Sequence, residues 1–144
     1  MTTMNLSNEF MNKYYILKEV AKKMGYKTII TNRGVSFCGH LTKEITVSVR
    51  NKEANGIFEF AHELGHCKQF RKRWIKLGED KEIIKQYYRE RDKSKLRFML
   101  DEVDAWIKGY ILLKRNGIKT KGYITHAAYC VDSHFQTKPN TVKN

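Results

Sequence analysis

FEFAHELGHCKQF, from Phe58 to Phe70, is the stretch on which the reading of this chain turns. His62 and His66 stand four apart, and on a helix that spacing puts both imidazoles on one face, with Cβ atoms about 5 to 6 Å apart. Both can then reach one ion. Zinc takes imidazole nitrogen at about 2.0 to 2.1 Å, and a catalytic zinc needs three protein ligands with one position left for water. Glu63 falls beside the same face, where its carboxylate can activate a zinc-bound water without ligating the metal; this is the logic of H-E-x-x-H. At about 100° per residue, Ile57, Phe60, Ala61, Leu64 and Cys67 gather on the other side, so one side packs while the other reacts. Gly65 costs about 1 kcal/mol of helix stability against alanine, which is explained if a strand or a substrate backbone must come close there. Cys67 reads as a small buried apolar residue. Arg71 falls on the packing side without a role.

The third ligand has to come from elsewhere. In the extended pattern HExxHxxGxxH the glycine position is Gln69 and the last histidine position is Lys72, so a metzincin is excluded. The segment RFMLDEVDAWIKGY offers Asp101, Glu102 and Asp104. Glu102 is favoured, because Ala105 and Gly109 follow it at steps of three and four and make a narrow face that can lie close against the HELGH helix. Asp101 and Asp104 are more peripheral. His126 and His134 are the remaining alternatives, and they join Tyr123 and Tyr129 as candidate transition-state donors. His40, in a strand segment, reads as an ordinary partly buried histidine.

Outward from this helix the periodicities define an α+β chain. Phe10, Tyr14, Leu17, Ala21 and Met24 mark a helix over 7–24, with Ser7 as N-cap and Gly25 as the stop. KTIIT, VSFCGHLT and EITVSV read as three short strands, antiparallel, with a turn at Asn32, Arg33 and Gly34 between the first two. NKEANG is expected as a loop before a helix from about Ile57 to Leu77. A helix over 80–92 and another capped by Ser94 follow. The latter carries Leu96, Met99, Val103, Trp106, Ile107 and Tyr110 to a stop at Asn116 and Gly117. ITHAAYCVDSHF reads as a last helix, and TKPNTVKN, residues 137–144, as a frayed tail. No repeat or linker divides the chain, so 1–144 is expected as a single domain.

The bulk composition narrows the function classes. A 144-residue chain that is 41% hydrophobic can bury a core. Three cysteines, Cys38, Cys67 and Cys130, without CxxC spacing fit neither a disulfide framework nor a thiolate zinc knuckle, so reduced thiols and a cytoplasmic location are expected. No apolar run suggests a leader or a membrane span. The net charge of +13 invites nucleic acid, but only Lys68, Arg71, Lys72, Arg73 and Lys76 cluster, so direct nucleic-acid binding stays open.

His62, Glu63 and His66 with a downstream Glu102 resemble the gluzincin arrangement, in which two histidines and a glutamate bind zinc. The small size, the strands before the helix and the phrase FEFAHELGH are similar to the compact ImmA/IrrE-like metallopeptidases of bacteria, phages and mobile elements, over residues 44–113. Such proteins often follow the glutamate with Ala-Asn, whereas Val103 and Asp104 stand here. The resemblance implies a zincin-like fold, Zn2+ as cofactor, and a protein or peptide substrate, with a DNA-bound regulator among the options. The expected function is therefore a zinc metallopeptidase in which Glu63 activates the water and the substrate lies along the edge of EITVSV. The alternative is a zincin-fold regulatory or binding protein without turnover.

Overall fold

Ser7 caps the first helix by accepting the Phe10 amide at 3.1 Å, and its own amide and hydroxyl bind the Glu53 carboxylate at the start of the central helix. That clasp joins the first element of the fold to the one that carries the motif. A computed structural model describes residues 4–136, in the order α1 (Asn8–Lys23), β1 (Lys27–Thr31), β2 (Phe37–Gly39), β3 (Glu44–Ser48), α2 (Glu53–Lys76), α3 (Lys81–Asp92), α4 (Lys95–Arg115) and α5 (Tyr123–Gln136). The tail expected over 137–144 lies outside the described residues. The chain is α+β, and α2 is its axis. On one flank α2 packs against the small sheet and α1, and on the other against α4, which carries α3 and α5. No described helix is long and apolar enough to cross a membrane.

The sheet differs from the expected antiparallel meander. Its order is β1-β3-β2: β3 pairs parallel with β1, Lys27 opposite Glu44, and antiparallel with β2, Phe37 opposite Thr46. Asn32, Arg33 and Gly34 therefore do not close a hairpin between β1 and β2. The physical reason lies in burial, since Ile45, Val47 and Ser48 are all buried while β1 and β2 are more exposed; the most buried strand takes the middle. β1 pairs with β3 along all of Glu44–Ser48, whereas β2 covers only Glu44, Ile45 and Thr46 on the other side.

Two helices also depart from expectation. α2 begins at Glu53, so NKEANG supplies its first turn rather than a loop; the acidic residue in that turn suits the helix N-terminus and is held by Ser7. On α4, Leu96, Val103 and Ile107 face solvent, and the buried side is Met99, Glu102, Ala105, Trp106, Gly109, Leu112 and Leu113. Close approach to α2 selects this face, because a side chain at Gly65 would run into the Ala105 carbonyl and one at Gly109 would sit 2.9 Å from the Ala61 backbone. The neighbour that needs Gly65 bare is therefore α4, and neither a strand nor a substrate. Arg71 is exposed, since α2 runs past the core after Phe70.

Candidate metal centre

The seam of Ala61 and Gly65 against Ala105 and Gly109 lets α4 lie on α2 at backbone contact, and Glu102, one turn before Ala105, is carried onto the histidine face. His62 Nε2 and His66 Nε2 are 3.1 Å apart. Each is also 3.1 Å from a Glu102 oxygen, His62 from Oε2 and His66 from Oε1. Three side chains from two helices thus aim their donor atoms at one point, and this buried cluster can hold a metal ion.

The electrostatics of the cluster are those of one buried carboxylate held between two imidazoles. Burial pushes the Glu102 carboxyl up, but hydrogen bonds and charge from His62 and His66 outweigh it and hold the group well below the carboxylate range. Burial pushes His62 down, against its hydrogen bond to Glu102. His66 also suffers burial, but Glu102, Glu63 and Gln69 more than offset it and raise it to about 9.

Each ring is oriented by a different device. His66 Nδ1 donates to Gln69 Oε1 at 2.9 Å, which leaves Nε2 for the site. The Gln69 amide is fixed in turn, its Nε2 donating to the Asp101 carbonyl at 2.9 Å and to Asp104 Oδ2 at 2.7 Å. Among the described residues His62 Nδ1 has no hydrogen-bond partner; its ring is clamped by stacking on Trp106, with ring centroids 4.1 Å apart. Asp101 is peripheral to the cluster, as expected, but it receives Arg73 at 2.6 Å and Arg91 at 3.1 Å and so ties α2 and α3 to α4. Replacing Gln69 by alanine is expected to weaken metal binding about 10- to 100-fold with the fold retained. A competition titration against a chromophoric chelator reads it, and parental affinity would show that the amide does not orient His66.

A cleft of about 430 Å3 opens beside the cluster, and Glu63, His62, Glu102, His126, Tyr129 and His134 all contribute to its lining. Glu63 is buried, and burial, with Glu102 and Glu59 adding and His66 opposing, raises its carboxyl to about 8. His126 Nε2 lies 3.6 Å from Cys130 Sγ and 2.9 Å from Glu59 Oε2, and these two contacts raise it to about 9 against burial. Glu59 also accepts the Ser36 hydroxyl at 2.9 Å, so it joins the β1–β2 connection to α5 across the cleft. His134 Nε2 stands 3.9 Å from Glu102 Oε2, and Tyr129 is largely exposed. Tyr123 does not reach the cleft; its hydroxyl donates to the Trp106 carbonyl at 2.6 Å within the core.

Gln69, Glu59 and Trp106 are site residues that the sequence reading did not single out. Gln69 is three residues after His66 and Glu59 three before His62, so helical spacing carried the signal for both. Comparison of the chain with family models, with curated proteins and with solved structures gives no match. The site is read on its own geometry.

Proposed function

We propose that the chain is a zinc-dependent peptidase of the gluzincin type, with His62, His66 and Glu102 as the metal ligands and Glu63 as the general base. A tetrahedral ion with ligand bonds of about 2.0 to 2.1 Å sets its donors about 3.3 Å apart. The two imidazole nitrogens, 3.1 Å apart, come close to that spacing, and each has its own Glu102 oxygen at 3.1 Å. The donor set of two imidazoles and one carboxylate suits zinc, and a zincin-like reading of the fold follows from the motif helix lying under a small sheet. When bound, zinc supplies Lewis-acid polarisation of a carbonyl and acidifies a water.

The observation that carries the reading beyond metal binding is Glu63, a buried carboxyl beside the cluster that lines the cleft without being one of the three donors. A base whose pKa lies near the working pH can both take and return a proton. Glu63 takes the proton of the attacking water and delivers it to the leaving amide nitrogen. His126, kept charged at neutral pH by its raised pKa, faces the same cleft as a donor to the developing oxyanion. Segment 34–36 and α5 both line this cleft, which receives an extended peptide.

The net charge of +13 favours an acidic protein substrate; a DNA-bound regulator remains an option on the resemblance alone. Free Cys38, Cys67 and Cys130 suit a reducing compartment such as the cytoplasm. The zinc-loaded protein should cleave members of a broad peptide library, read by mass spectrometry, with the products lost on chelation and regained with zinc. Products that persist unchanged under chelation would refute the proposal.

A further inference from the structure

Strand alternation puts Cys38 and His40, on either side of Gly39 at the end of β2, on one face, and that face meets Cys67 of α2. Cys38 Sγ lies 3.3 Å from Cys67 Sγ and 3.4 Å from His40 Nδ1, and the three ligand atoms all fall within 4.8 Å of one another. None of the three residues lines the cleft beside Glu63. The geometry points to a second metal site, Cys38, His40 and Cys67, that takes a thiolate-binding cation of the zinc type and pins the short edge strand β2 to the helix carrying the catalytic motif.

A tetrahedral zinc sets two sulfur ligands about 3.8 Å apart, and a sulfur and a nitrogen about 3.6 Å apart. The contacts here are already within half an ångström of those values. Two thiolates and one imidazole select soft or borderline cations over magnesium or calcium. The imidazole ring is held in place by stacking flat on Phe70, with centroids 4.6 Å apart and planes 8° apart. Tyr26 Oη, 3.3 Å from His40 Nδ1, adds an oxygen donor. A second cleft, of about 470 Å3 and bounded by His40, Phe70 and Tyr88, gives the cation a route from solvent.

Binding replaces the two thiol protons, which leave to solvent, so nothing is oxidised. A disulfide would need the sulfurs to close to about 2.05 Å and would leave His40 without a part in the cluster.

Cobalt titration of the reduced, metal-stripped protein tests the assignment. The parent chain should develop thiolate-to-cobalt charge-transfer absorption in the near ultraviolet. The double variant His62→Ala/His66→Ala should keep that band at one equivalent of cobalt, which separates this site from the first. Cys67→Ser should lose the band, and Cys130→Ser should keep it. Two equivalents of bound cobalt in the parent chain without the band would overturn the proposal. So would a band that follows Cys130 instead of Cys67, or recovery of Cys38 and Cys67 as a cross-linked peptide under reductant. Because the parent spectrum alone can fail the test, the proposal does not depend on any variant folding.

Discussion

Glu63→Gln is expected to retain the metal at His62, His66 and Glu102 and to lower peptide hydrolysis by at least about 100-fold, and by as much as about 10,000-fold. Glutamine keeps the shape and volume of the side chain but cannot take the proton from water. The substitution therefore isolates the base from the ligands. The same variant should also be more stable when metal-free. The Glu63 carboxyl is raised from its ordinary value to about 8 by burial. A carboxyl raised in the folded state binds more protons folded than unfolded, so its contribution to stability falls as pH rises from the carboxylate range through about 8. Glutamine removes that loss, and the thermal midpoint of the metal-free variant should exceed that of the parent above pH 8. A side chain that costs stability and supports turnover is what a working base predicts. A variant that hydrolyses peptides as fast as the parent would remove Glu63 from the mechanism and leave a zinc-binding protein without this chemistry.

The second large effect is expected from Gly65→Ala, a change outside the ligand set. The added methyl group improves helix propensity by about 1 kcal/mol. Against that, it runs into the Ala105 carbonyl group, with Ala105 Cα at 3.1 Å. A backbone cannot swing away as a rotamer does, so α4 must lift from α2, and overpacking of this kind costs about 1 to 3 kcal/mol or more. Glu102 sits one turn before the collision, so the carboxylate withdraws from His62 and His66. The expected result is a thermal midpoint lower by a few degrees and metal affinity lower by about tenfold or more. Calorimetry and chelator competition measure the two. Parental metal affinity in this variant would show that the seam does not place Glu102.

What the sequence made legible was whatever local spacing controls. Ser7 and Ser94 cap the helices they were expected to cap, because a capping side chain answers to amides two or three residues away. His62 and His66 share a face by the same rule, and Ala105 and Gly109 betrayed the close approach that brings Glu102 to them. The sheet was less legible, since the parallel pairing of β1 with β3 depends on which strand ends up most buried, and the turn residues 32–34 say nothing about that. Bulk misled the reading of α4, where Leu96, Val103 and Ile107 look like a packing face but the helix turns its small residues inward. Cys38 and Cys67 lie 29 residues apart in sequence, and only the folding of β2 onto α2 brings their sulfurs together.

Metal content bears most directly on the central claim. Protein purified at neutral pH should contain zinc in stoichiometric amount, and His62→Ala and Glu102→Ala should each hold one equivalent less than the parent. A parent chain without zinc, or variants that retain the parent's full content, would contradict the assignment of His62, His66 and Glu102 as a zinc site.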